Sequence, residues 1–268
     1  MSSKNIKIGF VGCGNMGGAI ARAISSNSNT KLYISDPNIE KAIAVSNEID
    51  AEISDNITVC RTCDFVFLAI KPNLYSEVVT SLAEALDENP SCVLVSMAAG
   101  ISFEALTSLV GKRKMIRIMP NTPVAVGKGM TLWCGNTMIG EEDRIAFINI
   151  MSKSGRLDEL SEKYIDAASA LSGCGPAFVY MFGEALSDGA VACGLPRDKA
   201  MVYAAQMILG AAEMMLVSNK HPGELKDEVC SPGGSTIEGV RVLDERAFRG
   251  ACVNAVIASY EKTRLLGK

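Results

Sequence analysis

Ile6-Lys7-Ile8-Gly9-Phe10-Val11, a short run of β-forming residues, passes straight into Gly12-Cys13-Gly14-Asn15-Met16-Gly17, after which Met16, Ala19, Ile20, Ala23 and Ile24 recur at helical spacing. Strand, glycine turn and helix in immediate succession constrain the chain more than any other stretch, because GxGxxG has a physical meaning only in that context. Gly12 permits a tight turn, Gly14 admits a pyrophosphate close to the backbone, and Gly17 lets the helix pack against the strand. The free amides and positive end of the helix then face the anion. A second β run, Lys31 to Ile34, ends at Ser35-Asp36, about where an acidic residue meets an adenosine ribose. These positions imply a bound dinucleotide; the bland alternative is a glycine-rich turn without a cofactor. Asp36 suits a free ribose hydroxyl, hence NAD, and repels an added phosphate. Ser35 and Asn38 retain the means to bond that phosphate, so NADP stays open beside NAD.

The pattern continues as alternating units. Ile39 to Ile49 is helical, Asp64 to Ala69 a buried strand, Leu74 to Leu86 a helix, Cys92 to Ser96 a strand, Phe103 to Val110 a helix and Met115 to Met119 a strand. Gly127 to Cys134 and Arg156 to Leu160 read as added strands around a helix from Glu142 to Lys153. Such alternation means a mainly parallel, doubly wound sheet, with ligands beyond the carboxyl ends of its strands. The loops Gly12 to Gly17, Ala69-Ile70-Lys71-Pro72, Met97-Ala98-Ala99-Gly100 and Pro120-Asn121-Thr122-Pro123 are therefore candidate ligand contacts. Ala98-Ala99-Gly100 leaves room for a flat ring near the backbone. Lys71 offers a charge toward the cofactor, or is simply solvated as most lysines are.

After Ser161 the β signals stop. Lys163 to Leu171, Pro176 to Cys193, Pro196 to Ser218 and Arg246 to Leu266 have helical periodicity, broken at Gly173-Cys174-Gly175-Pro176, Gly194-Leu195-Pro196 and His221-Pro222-Gly223. The fold expected is α/β, with an N-terminal doubly wound Rossmann-like sheet over residues 1–161 followed by an all-α domain over residues 162–268. The helix from Ala200 to Val217 is apolar nearly all round, interrupted on one side by Gln206 and Glu213. That pattern suits burial against another subunit better than a membrane span.

Composition narrows the partners. Net charge is -4 with 21% charged residues, which argues against nucleic acid or an anionic membrane. Lys112-Arg113-Lys114 is too short to change that and reads as a solvated turn. The nine cysteines are odd in number and scattered through apolar segments, so no disulfide framework is expected and a reducing cytoplasm is. Cys60-Arg61-Thr62-Cys63 has redox or zinc spacing but no second pair and no nearby histidine, which favours a structural role. No signal peptide is expected ahead of the first strand, and no metal site is expected.

A second candidate site lies late in the chain, at Ser231-Pro232-Gly233-Gly234-Ser235-Thr236. Gly233 and Gly234 let the backbone approach a ligand, and Ser235-Thr236 opens a helix read from Ile237 to Leu243. Free amides and the dipole end therefore point into the turn, a seat for a small carboxylate with the Thr236 hydroxyl beside it. The bland reading is an ordinary loop with a Ser/Thr cap.

Taken with Leu171-Ser172-Gly173-Cys174-Gly175-Pro176-Ala177, Ser96 to Gly100, Met119 to Pro123 and His221-Pro222-Gly223, these residues resemble the pyrroline-5-carboxylate reductase family over essentially the whole chain. The resemblance implies reduction of 1-pyrroline-5-carboxylate, a cyclic imino acid, to L-proline by hydride from NADPH or NADH. It implies cofactor contacts at Gly12, Cys13, Gly14, Asn15, Met16, Ser35, Asp36, Asn56, Ala69, Ile70, Lys71, Pro72, Met97, Ala98 and Ala99. It places the substrate carboxylate on Gly233, Gly234, Ser235 and Thr236, with Ser235 and Thr236 the residues nearest the reaction. The resemblance also implies that Glu162 and Glu228 complete the site, the latter from a neighbouring subunit, and that the helical domain makes a homodimer or a higher homo-oligomer built from dimers.

The residues agree with that chemistry. The single histidine, His221, sits far along the chain from the cofactor motif and reads as structural. A hydroxyacid dehydrogenase needs a His or Lys for the alcohol proton, whereas a cyclic imine can enter already protonated. Two alternatives are a β-hydroxyacid dehydrogenase of related architecture, using Lys71 or a lysine of the helical domain as acid-base, and a non-catalytic NAD(P)-sensing protein. Turnover with the imine, with hydroxyacids, or with neither separates the three.

Overall fold

Every residue of β4 (Phe65–Leu68), β5 (Val93–Ser96) and β6 (Met115–Met119) is buried, as short apolar runs must be when helices cover both faces of a sheet. The structure is a computed structural model describing residues 5–27 and 29–266. With β1 (Ile6–Val11), β2 (Thr30–Ser35), β3 (Glu52–Ile53), β7 (Gly129–Gly135) and β8 (Gly155–Glu159), these strands form one sheet in the order β3-β2-β1-β4-β5-β6-β7-β8. Neighbours are parallel except β6 and β7, where Arg117 faces Cys134 and Met119 faces Leu132 in antiparallel register. The chain reverses there through a short 3-10 helix, Thr122–Val126, rather than through a long crossover.

Besides that 3-10 helix the described residues form thirteen α-helices, beginning with α1 (Asn15–Ser25), α2 (Ile39–Ile49), α3 (Asn56–Thr62) and α4 (Pro72–Ser81). Next come α5 (Ala83–Asp87), α6 (Phe103–Val110), α7 (Glu141–Met151) and α8 (Glu162–Ser172). The two-residue period of the strands divides the core: Phe65 and Phe67 pack with Ile20 and Ile24 of α1 and Phe147 of α7. Val66 and Leu68 pack on the other face with Val59 of α3, Tyr75 of α4 and Leu106 of α6. On that second face α8 covers β6 and β7, where Ile165 is buried with Met119, Leu132 and Cys134.

By packing, residues up to Cys174 and from Ser259 group with the sheet, and Gly175–Ala258 form a second unit. The strand signal ends at residue 161, but α8 lies on the sheet, so the border of the compact unit falls thirteen residues later in the chain, at 174. The second unit contains α9 (Gly175–Ala192), α10 (Arg197–Val217), α11 (Pro222–Val229), α12 (Ser235–Glu245) and most of α13 (Phe248–Leu266). Gly194, at φ +95, ends the first turn of the α9–α10 hairpin, where Leu195 N donates to Ala190 O at 3.1 Å.

Several local readings change. Leu74 to Leu86 is two helices, parted at Leu82. α3 and α11 fall in stretches where periodicity assigned no element, and each carries an N-cap: Thr58 N donates to Asp55 Oδ1 at 2.9 Å, and Gly223 N donates to His221 Nδ1 at 3.0 Å. Lys112-Arg113-Lys114 is not a solvated turn. Arg113 is buried, donates from Nε to Val110 O at 2.7 Å at the end of α6 and pairs with Asp87 at 2.8 Å, while Lys114 pairs with Asp143. Free carbonyls at a helix end attract a guanidinium, which a charge count along the sequence does not register.

Candidate functional site

The strand order places β1 in the middle, with the chain moving outward to β2 and β3 and then returning to β4 on the other side of β1. The carboxyl ends of β1 and β4 therefore flank the point where the order reverses, the place where such sheets open a crevice. Gly12 to Gly17 leaves β1 there and Ala69 to Pro72 leaves β4. Gly12 has φ +94, and a Cβ on it would come within 2.5 Å of Ala69 O; one on Gly17 would come within 2.6 Å of the Ala69 Cβ. A Cβ on Gly14 would meet nothing within 4 Å. Two glycines are thus demanded by packing between the two loops, and the middle one faces open space, which is the pattern a pyrophosphate cradle requires. Gly14 is also the N-cap of α1 and provides no side-chain bond, so the first amides of α1 are left to a ligand.

Asp36 is bound to the loop itself. Its Oδ2 accepts from Cys13 N at 2.8 Å and its Oδ1 from Asn38 N at 2.9 Å. The carboxylate therefore shapes the glycine turn, while its remaining lone pairs are free for a ribose hydroxyl. Asn38 is occupied as the N-cap of α2, accepting from Lys41 N at 3.1 Å. The Cys13 thiol is buried, and burial followed by the Asp36 charge pushes it up to about 11. It is a neutral packing group rather than a nucleophile.

Along the same edge, Ala98 is buried and Met97 and Ala99 are half-buried, with Gly100 turning the chain at φ +76. Lys71 is exposed as the N-cap of α4. Asn56 is half-buried in the first turn of α3, just past the end of β3. Ser35 is buried, its carbonyl accepting from Gly12 N at 2.7 Å. The donor set suits a dinucleotide: open amides at a helix start, a carboxylate beside them and small residues where a flat ring would lie. Among the described residues no group of three His, Cys, Asp or Glu is placed to hold a metal ion.

Cys60 and Cys63, the pair with redox spacing, are fully buried in the helix side of the core. Burial holds each thiol up at about 12, so they pack as small apolar groups.

In the helical unit, α12 begins at Ser235, two residues before the start read from periodicity, and its N-cap is Gly234 with no side-chain bond. The Ser/Thr-cap reading fails, because Ser235 and Thr236 lie inside the first helical turn. Gly233, at φ +67, bends the chain ahead of it, and Gly234 N donates to Ser231 O at 3.0 Å. Ser235 and Thr236 are exposed. Glu228, in α11, pairs with Lys220. His221 is the capping residue of α11, its own amide donating to Glu224 Oε2 at 3.1 Å.

Glu162 is in the sheet unit. Its Oε1 accepts from Phe103 N at 2.8 Å and from Arg117 Nη1 at 2.7 Å. Arg117 and Tyr75 were not singled out from the sequence. The available signal for Arg117 was a charge within Met115-Ile116-Arg117-Ile118-Met119, a strand otherwise apolar on both faces.

Comparison with known proteins gives the family and the fold. Residues 162–266 match the family described as pyrroline-5-carboxylate reductase dimerisation, and residues 7–100 match NADP oxidoreductase coenzyme F420-dependent. The chain is 39% identical to the pyrroline-5-carboxylate reductase of Escherichia coli over 267 residues, 98% of each chain. It is 39% identical to that of Pisum sativum, over 98% of this chain and 97% of the relative. The structure of Plasmodium falciparum pyrroline carboxylate reductase with NADP bound superposes with a TM-score of 0.89 at 34% identity, covering 100% of both chains.

Proposed function

The chain belongs to the pyrroline-5-carboxylate reductase family, and from that premise we propose that it reduces 1-pyrroline-5-carboxylate to L-proline with NADPH or NADH, the closing step of proline biosynthesis. The observation that carries the substrate assignment is the start of α12: a glycine N-cap with no side-chain bond leaves the amides of Ser235 and Thr236 to a carboxylate. Bound reduced nicotinamide supplies the hydride.

The sheet unit grips the dinucleotide. The first amides of α1 take the pyrophosphate, Ser35 and Asp36 the adenosine ribose, Asn56 and Ala69 to Pro72 the middle of the molecule, and Met97 to Ala99 back the nicotinamide. The seat Gly233 to Thr236 grips the imino acid, the Thr236 hydroxyl bonding its ring nitrogen. A protonated imine accepts hydride at the carbon next to nitrogen: the hydride pair forms the new C–H bond, the π pair of the C=N bond becomes the nitrogen lone pair, and the N–H already present stays on the amine of proline. No side chain needs to move a proton in that step, so orientation supplies most of the rate. Glu228 completes the seat in the assembled protein. The homo-oligomer is built from dimers through the apolar helices α9 and α10, and the thiol-rich, disulfide-free chain works in the cytoplasm.

Thr236→Ala is expected to lower kcat/KM for the imino acid about 10- to 100-fold, the worth of a hydrogen bond to a charged group, with nucleotide affinity unchanged by fluorescence titration. Equal loss of both affinities sinks the assignment of Thr236. Absence of NAD(P)H oxidation with the imine, or better turnover of β-hydroxyacids, sinks the reaction itself.

A further inference from the structure

The loop between β5 and α6 is braced at both ends by side chains for which the reaction as derived has no use. At its start, Ser96 Oγ accepts from Ala98 N at 3.3 Å and bonds the Tyr75 hydroxyl at 2.6 Å, with both side chains buried. At its end, Phe103 N donates to Glu162 Oε1, the oxygen that also takes Arg117 Nη1. Arg117 is 3% exposed on the inner face of β6, among Met119, Leu132, Cys134 and Ile165. Its second partner, Asp166 Oδ1, is 3.5 Å from Nη2, and its Nε is buried without a hydrogen-bond partner.

An apolar side chain would fill that place at less cost, since desolvating a guanidinium is expensive and an orphaned N–H adds to it. What the arginine does there is hold one carboxylate oxygen at a fixed point, and that oxygen holds the amide at the first residue of α6. We propose that Arg117 and Glu162 are positioning residues for hydride transfer, fixing through the Phe103 amide the loop of residues 97–102 against which the nicotinamide lies. The inference rests on the reading that Met97 to Ala99 back the nicotinamide.

Displacement of a reacting ring by about 1 Å costs up to about 100-fold in rate. Glu162→Ala is therefore expected to slow single-turnover hydride transfer roughly 10- to 100-fold, leaving KM for the imino acid and Kd for the nucleotide near their original values. Glu162→Gln keeps an acceptor oxygen for the Phe103 amide and is expected to restore most of the rate. Amide hydrogen exchange, measured on the substrate-free protein, is expected to rise in the segment 97–103 in Glu162→Ala and to return in Glu162→Gln. Should Glu162→Ala fail to fold, Arg117→Met releases the same carboxylate while matching its apolar neighbours, and the same rise in exchange and fall in rate are expected.

Unchanged exchange in 97–103 in folded Glu162→Ala, or in Arg117→Met where it takes that variant's place, overturns the proposal, whatever the activity. A raised KM for the imino acid with kcat preserved, in both Glu162 variants, overturns it in favour of a direct substrate contact. The exchange measurement needs no substrate, so it decides the matter even if the wild-type protein proves not to reduce the imine.

Discussion

The two units of the chain solve the burial problem in opposite ways. In the sheet unit β4, β5 and β6 are buried from end to end, and Trp133, Phe10, Phe67 and Phe147 are almost wholly hidden. In the helical unit α11 and α12 bury no residue, α9 only Ser187 and α10 only Ala200 and Ala204. Met201, Val202, Tyr203, Leu209, Leu216 and Val217 of α10 are each more than half exposed. α10 is long and apolar enough to cross a membrane, with 11% of its most apolar window buried. A single chain buries the core of its nucleotide-binding half alone, whereas the helical half leaves its apolar helices for another copy to cover. Membership of the reductase family, with a dimerisation region spanning residues 162–266, supplies that copy.

The largest expected effect comes from breaking this asymmetry. Met201→Glu with Leu209→Glu forfeits about 1.5–3 kcal/mol of apolar burial at each position and adds two charges to desolvate. Sedimentation is expected to report a shift to monomer, and circular dichroism a loss of helix at a temperature where wild type is intact. Trp133, the single tryptophan, is buried in the sheet unit and reports on that unit alone. Its fluorescence transition is expected to persist; simultaneous loss of both signals would show that the sheet unit does not stand by itself.

A smaller effect sharpens the description of the sheet unit. Gly12→Ala combines a left-handed backbone with a clash against Ala69 O and is expected to cost about 2–5 kcal/mol in denaturant unfolding. Gly14→Ala meets nothing in the protein and is expected to change stability by less than about 0.5 kcal/mol. It should nevertheless weaken nucleotide binding roughly tenfold or more, about 1.4 kcal/mol. Equal stability losses in the two variants would contradict the division between packing glycines and the ligand-facing one.

The smallest effect is in pH. Burial holds the Cys60 and Cys63 thiols at about 12 in the folded protein, against roughly 8.5 when unfolded. Above pH 8.5 the unfolded chain has lost protons that the folded one keeps. Stability therefore falls as pH rises, by about 1.4 kcal/mol per pH unit for each such thiol until the folded value is reached. Denaturation midpoints between pH 8 and 10 are expected to drop in wild type and to drop less steeply in Cys60→Ala. An equal slope in both would place the thiol in contact with water. Across the same series Cys193 and Cys252, which are exposed in the helical unit, are expected to react first with thiol reagents unless the subunit contact covers them.

Much of the fold was readable because its signals are local. Asp64-Phe65-Val66-Phe67-Leu68-Ala69 is too apolar and too short to be anything but a buried strand, and Gly194 marks the end of α9 by its left-handed backbone. α3 escaped notice because Asn56-Ile57-Thr58-Val59-Cys60-Arg61-Thr62 is rich in β-branched residues, and its helix is set by the Asp55 cap and by burial of Val59 and Cys60. α11 was hidden by His221-Pro222-Gly223, which punctuates a chain whether it breaks a helix or, as here, begins one. Of the candidate site, the glycine turn and the Gly234-Ser235-Thr236 start were legible. The Arg117, Glu162 and Phe103 group was not, since its members are 45 and 59 residues apart and none belongs to a motif.

What residue order alone settled are the features governed by neighbours: where glycine must replace any larger residue, which faces of strands and helices are apolar, and where a helix starts behind a glycine. Those depend on sterics and periodicity within a dozen residues. The placement of β4 beside β1, the return of Asp36 to the Cys13 amide and the burial of Arg117 beneath α8 were decided by the folded chain. Each depends on a distant segment closing over another, and the free energy of such closure is a sum over contacts that no short stretch contains.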